Sequence, residues 1–288
     1  MNDLIDTKEI DFTVSRQALV TVTGLATDKE AIVRNDTNAV IGVVSTGYNL
    51  LEHKTALVSV AASIEKLEKG FHLTKVTTSG DGAKMFATLE GREEFDMGLE
   101  RKVGDLIRPQ LILVNSVDGS TKLGFKIGAL RLVCTNGMVR GETFSSIFVK
   151  HTSGVDFDDV MNQGAAALNY FHSNILPTWR SLTQTYVNKQ FGILRLSDKR
   201  VGIPDKVNNR VIEVTKEVDT MTLWSLYNHY TYHLTHEYQG SEERRIYLNG
   251  AVERVIAGLD VEVKGMGAQS LSVQQSLANQ ARIDQERA

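Results

Sequence analysis

The chain has 288 residues, 42% of them hydrophobic and 23% charged, with a net charge of −3, a balance that predicts a packed core rather than disorder. The same balance excludes a wholly basic nucleic-acid coat while leaving room for a local basic groove. The single cysteine, Cys134, excludes an internal disulfide framework and a multi-cysteine zinc site within one chain; with no apolar run near the roughly 20 residues needed to span a bilayer and no secretory signal at the start, a soluble cytoplasmic protein is expected.

In chain order, residues 1–17 are polar and mixed and read as a loosely docked arm. Short β-branched segments at 18–23, 31–34 and 39–45, parted by Thr27-Asp28-Lys29 and Asn35-Asp36-Thr37, predict strands of an antiparallel meander. From His53 to Lys69 the apolar residues Ala56, Leu57, Val60, Ala61, Ile64 and Leu67 recur at three and four, which predicts an amphipathic helix stopped by Gly70. Two further strands, 71–78 and 83–89, are joined by Ser79-Gly80-Asp81-Gly82, a turn that lacks the Lys-Ser/Thr of a phosphate loop. Residues 90–105 form an acidic connection, with six acids against three bases.

The stretch 108–141 organises the rest. Leu111, Ile112, Leu113 and Val114 form an apolar run, Val117-Asp118-Gly119-Ser120 supplies a turn, and Leu123, Phe125 and Ile127 alternate with Lys122, Gly124 and Lys126. That period of two places apolar side chains on one face and lysines on the other. Ala129, Leu130, Leu132, Val133 and Cys134 then lead to a second turn at Thr135-Asn136-Gly137, and residues 145–150 read as a last strand. An apolar strand into Asn115, Ser116, Asp118, Gly119 and Ser120, followed by Arg131, Cys134, Asn136 and Gly137, resembles the signature of a family of phage and plasmid-like proteins described as a domain of unknown function. Tyr48 and His53, in a strand-to-helix passage, and Trp224, Asn228 and His236 in a later helix also stand at places matching that family. The resemblance implies a mobile-element setting and carries no established reaction.

After Gly154 the chain turns helical. Val160, Ala167, Leu168, Phe171 and Ile175 outline one face up to Pro177, and Trp179, Leu182, Tyr186 and Val187 extend or restart it. Residues 208–218, the aromatic-rich segment 222–238, and 244–259 ended by Gly258 are predicted helices, whereas the Gln- and Ser-rich residues 265–288 read as a tail or an exposed helix. The expected architecture is an α+β fold: an antiparallel sheet or meander with a packed helix over 1–154, a mainly helical part over 155–264 packed on it, and a polar tail over 265–288.

Four groups could carry chemistry. Between 121 and 151 the basic residues Lys122, Lys126, Arg131, Arg140 and Lys150 face one acid, Glu142, and such a hairpin can neutralise phosphates while Phe125 or Phe144 offers a ring for stacking. The bland alternative is a solvated sheet face with Phe125 in the core. His229, His233 and His236 stand at i, i+4 and i+7, a spacing that can chelate zinc, but the glutamate expected after the first histidine is replaced by Tyr230. Asn115, Asp118 and Asn136 at the turns bond local backbone in the ordinary case; the sharper reading makes the two turns a ligand or subunit contact. Asp260, Glu262 and Lys264 supply the residue types of Mg-dependent nucleases without the earlier strand such a core uses.

The expectation is therefore a non-enzymatic phage or plasmid protein that binds single-stranded nucleic acid, DNA in the first place, in recombination, replication or DNA protection, as a homo-oligomer and without a cofactor or a membrane. The alternative is a protein-interaction factor acting on a host defence or replication protein. A third reading is a metal-dependent enzyme, such as a nuclease, built on the histidine helix or on Asp260, Glu262 and Lys264.

Overall fold

The computed structural model describes residues 7–64, 70–97, 106–131, 136–139, 162, 166 and 169–287. They form an α+β fold of antiparallel sheets with helices concentrated in the C-terminal part. The described residues fall into two compact units, interleaved in sequence: those within Met1–Glu93, Pro109–Ile127 and Thr143–Asn169 in the first, and those within Glu94–Arg108, Gly128–Glu142 and Tyr170–Ala288 in the second.

The first unit opens with the meander. Strands β1 (Val14–Val20), β2 (Ala26–Arg34) and β3 (Val40–Ser45) pair antiparallel in sequence order. β1 starts earlier than the β-branched run suggested, and the preceding arm is docked. Ile10 is buried, and the Glu9 carboxylate accepts a bond from Thr78 N at 2.7 Å. Ile32, Val44, Tyr48 and Val117 make one small core. Helix α1 (His53–Ile64) buries Ala56, Leu57 and Val60 at the expected spacing; its proposed extension to Lys69 lies outside the described residues.

β4 (Phe71–Ser79) and β5 (Lys84–Gly91) form a hairpin whose turn holds Gly80, Asp81 and Gly82 at positive φ, the conformation for which glycine costs least. β5 pairs with β7 (Leu106–Ser116) from Lys84↔Ser116 to Glu90↔Gln110. Leu111, Ile112, Leu113 and Val114 are all buried, as a continuous apolar run in a sheet requires of a strand covered on both sides. β8 (Gly124–Arg131) follows the Val117–Lys122 loop; β7 and β8 each run through a boundary between the units.

In the second unit β6 (Phe95–Asp96) pairs with the start of β7, and the end of β8 pairs with β9 (Asn136–Val139). A π turn, Phe171–Ile175, leads into α2 (Leu176–Leu182). There follow β10 (Tyr186–Asn188), α3 (Lys189–Leu196), α4 (Asp205–Val214), β11 (Thr220–Thr222), α5 (Leu223–His236), α6 (Glu242–Gly265) and α7 (Ser270–Arg287). Asn188, Thr222 and Ser241 accept bonds from Phe191 N, Ser225 N and Arg244 N and so cap α3, α5 and α6. Phe171, Trp179, Trp224 and Tyr227 are fully buried with ring centroids 5.9–6.0 Å apart along the chain of contacts, within the range of favourable aromatic pairs.

Four expectations change here. Tyr186 and Val187 lie in a short strand paired with β11 rather than in a helix. The helix expected over 208–218 is α4, which ends at Val214. Gly258 does not end α6, which continues to Gly265. Residues 270–287 form a helix that buries Gln274 and Ala278, with Gln274 Oε1 accepting from Asn188 N at 2.7 Å. No helix among the described residues is long and apolar enough to cross a membrane.

Candidate functional site

A groove of about 950 Å³ opens in the second unit. One wall is a single face of α6, where Tyr247, Ala251, Arg254, Val255, Gly258 and Leu259 recur at helical spacing. The other wall is the end of α3 and its following turn, with Leu194, Arg195, Ser197, Asp198, Lys199, Arg200 and Val201. Four cations, Arg195, Lys199, Arg200 and Arg254, thus line the groove against one acid, Asp198. Asp198 accepts bonds from the Arg200 side chain and backbone, which hold its carboxyl down at about 2. Arg195 pairs with Glu262 at 2.8 Å across its exposed edge. Both pairs sit in water, where an ion pair is weakly held and readily exchanged for another anion. The floor is small: Ala251, and Gly258, whose missing Cβ faces open space. An open, positively lined groove of this kind suits a chain of phosphates better than an enclosed small molecule.

The turn residues of the first unit make a different arrangement. Asn115 and Ser116 are fully buried. Asn115 Nδ2 donates to Leu51 O and to His53 Nδ1, each at 3.0 Å, and His53 Nε2 lies 2.8 Å from Gly82 O. The Tyr48 hydroxyl donates to Ser116 O at 3.0 Å, and burial, with a smaller contribution from nearby Asp118, pushes that phenol up to about 12. Ser116 Oγ donates to Thr121 O and accepts from Thr121 N, while Asp118 accepts from Ser120 N and Oγ. Gly119 has φ +73, with the Tyr48 ring 3.4 Å from where a Cβ would stand. Strand-to-helix passage and turn are therefore one buried polar lattice, tied by long-range bonds to Leu51 O, Ser116 O and Gly82 O and by local bonds within the turn, with Asn115 Oδ1 left without a hydrogen bond among the described residues.

A family model described as Domain of unknown function (DUF932) matches residues 40–257. The chain belongs to the DUF932 family. No solved structure matches it. The DUF932 match takes in Tyr48, His53, the Asn115–Ser120 turn, and the groove residues from Leu194 to Val255.

Within this DUF932 chain the expected basic hairpin is described only in part. Lys122 is exposed in the loop before β8, and Lys126 is half-buried on β8. Phe125 is fully buried, which corrects its assignment as a stacking residue: the alternation that turns Lys122 outward turns Leu123 and Phe125 into the core. Arg131, Asn136 and Gly137 hold strand positions, Arg131 pairing with Asn136 and Leu130 with Gly137. Arg140, Glu142, Phe144, Lys150 and Cys134 lie outside the described residues, as does the strand expected at 145–150.

The histidines of α5 do not converge. His233 is buried, His229 half-buried, and His236 exposed against the Tyr232 ring at 4.7 Å. His233 Nδ1 lies 3.1 Å from Glu237 Oε1, near enough for an ion pair when protonated, at an angle that makes no hydrogen bond. A cleft of about 240 Å³ opens beside that pair. No group of three or more His, Cys, Asp or Glu among the described residues is placed to hold a metal ion. Asp260, Glu262 and Lys264 lie on helix α6, not on strands, and are taken up in hydrogen bonds and ion pairs: Asp260 is buried and accepts from Ser181 Oγ at 3.0 Å and Lys264 Nζ at 2.7 Å, and Glu262 pairs with Arg195.

The sequence reading missed the groove. Arg195, Lys199 and Arg200 are a visible local cluster, and Tyr247 and Arg254 share a helix face at i, i+7, but no spacing links the two segments.

Proposed function

We propose that this DUF932 protein is a non-enzymatic nucleic-acid-binding protein of a phage or plasmid, holding single-stranded DNA during recombination, replication or protection of entering DNA. The observation that carries the proposal is the groove between α3 and α6, where Arg195, Lys199, Arg200 and Arg254 outnumber Asp198 along an open channel. Exposed guanidinium and ammonium groups neutralise phosphates, and the release of counterions drives binding. The mobile-element setting is supported by the signature residues alone.

Fluorescence anisotropy with a labelled 20-mer single strand, at two salt concentrations, tests it. Salt-sensitive binding is expected, with a log–log slope of roughly −0.7 per phosphate contact. Lys199→Glu with Arg254→Glu should weaken it at least about ten-fold and flatten that slope. Absence of binding at low salt overturns the proposal.

A second reading, a protein-interaction factor that engages a host protein, is favoured by the hairpin tip between β1 and β2, where Val20, Val22 and Leu25 stand 60%, 108% and 66% exposed. A host protein retained after nuclease treatment would support it.

A further inference from the structure

We infer that Tyr247 is the groove's base-stacking platform, so that the groove takes unstacked, single-stranded nucleic acid in preference to duplex; this rests on the nucleic-acid reading of the groove. An exposed tyrosine on a helix is by itself unremarkable. Three observations set this one apart. Its ring lines the cationic groove on the same face of α6 as Arg254. It is 49% exposed, and of the exposed tyrosines of this unit, Tyr186, Tyr232 and Tyr247, it is the one that lines the groove, while Trp179, Trp224, Tyr227 and Tyr230 are fully buried. Its ring also carries a cation on one face: the Arg244 guanidinium lies 4.9 Å from the ring centroid and donates to Gly202 O at 3.2 Å. Arg244 thus spans a carbonyl and the aromatic face, which backs one side of the ring with positive charge before any ligand arrives.

The opposite ring face is the one a base would use. Bases stack on an aromatic ring irrespective of sequence, because each presents a π face, while the neighbouring cations take the phosphates. A duplex keeps its bases stacked on one another and can offer this site phosphates only. Tyr247 therefore separates strand type, and Lys199, Arg200 and Arg254 supply strand-independent affinity.

The test compares the full chain with Tyr247→Ala, Tyr247→Phe and Tyr247→Trp, using a fluorescein-labelled dT 20-mer and a labelled duplex of equal length. Tyr247→Ala should lose about ten-fold or more in single-strand affinity with the salt slope unchanged and duplex affinity little altered. Tyr247→Phe should retain wild-type affinity. Tyr247→Trp should bind and its added emission be quenched by the strand, while the emission of the two native tryptophans, fully buried and out of the strand's reach, stays constant. Matching far-UV circular dichroism establishes that the variants fold. If the wild type binds and Tyr247→Ala binds the single strand equally well, the platform is overturned and the groove stands. If the wild type binds no single strand even at low salt, the nucleic-acid reading fails and the platform with it.

Discussion

Asn115 and His53, 62 positions apart, lie in contact at 3.0 Å, and the contact fixes the state of both side chains. Leu51 O can only accept, so the atom of Asn115 beside it is the amide nitrogen. That nitrogen donates to His53 Nδ1, which places the imidazole proton on Nε2, facing Gly82 O at 2.8 Å. Asn115→Ala would strip two buried acceptors of their donor, and a loss of about 2–4 kcal/mol is expected in urea unfolding. An unchanged midpoint would mean that this lattice does not hold the first unit together.

Gly42 sits against the Asp118 backbone. A Cβ at position 42 would stand 2.5 Å from Asp118 Cβ and 2.8 Å from its Cα. Gly42→Ala should therefore destabilise the protein by about 1–3 kcal/mol through overpacking. Gly258→Ala is the control, since its Cβ would meet nothing within 4 Å, and it should be neutral or stabilising by up to about 1 kcal/mol.

Tyr48 predicts alkaline sensitivity. Its phenol rises from 10.0 to about 12 in the fold, so the folded state favours the protonated form. The contribution is complete below pH 10 and is lost as pH rises through about 12. Tyr230, also raised by burial, acts in the same direction. Urea midpoints followed from pH 8 to pH 12 should fall less steeply for Tyr48→Phe than for the wild type; parallel curves would contradict the assignment.

Phe125 is expected to behave as a core residue. Phe125→Ala should cost about 3–5 kcal/mol of stability, whereas Lys122→Glu, at an exposed loop position, should leave the thermal midpoint nearly unchanged. A Phe125→Ala variant of native stability would contradict its burial.

Filling the groove should block it. Gly258→Leu adds a side chain where α6 faces open space, so single-strand affinity should drop while the unfolding midpoint holds or rises. Retained affinity would place the ligand elsewhere.

Much of the fold was legible where a residue's role is local. The β4–β5 hairpin followed from Gly80, Asp81 and Gly82; β7 followed from four consecutive apolar residues; α5 was expected from the aromatic-rich segment 222–238. The failures share a physical cause. The β10 strand has three residues, too few to display a period, so Tyr186 and Val187 read as a continuation of the helix before them. The docked face of α7 is made by Gln274 and Ala278, one polar and one small, and so carries no apolar stripe. Gly258 looked like a stop because glycine is costly inside a helix, but α6 is held by packing along Leu248, Val252, Ile256 and Leu259, which outweighs that cost. In the groove, Tyr247 and Arg254 share a helix face at i, i+7, but their opposite wall comes from α3 and its following turn, and only tertiary structure joins the two.

The interleaving of the units bears on how the protein must be made. A nascent chain leaves the ribosome from its N-terminus, so β5 waits for β7 until a segment of the second unit, Glu94–Arg108, has already emerged. Phe95 within that segment packs against Phe171 and His172, at 5.9 and 5.2 Å, and both are synthesised much later. Throughout that interval Phe95 lacks these two neighbours, and chains that terminate before residue 171 never acquire them, which leaves more of its ring open to chaperones and proteases.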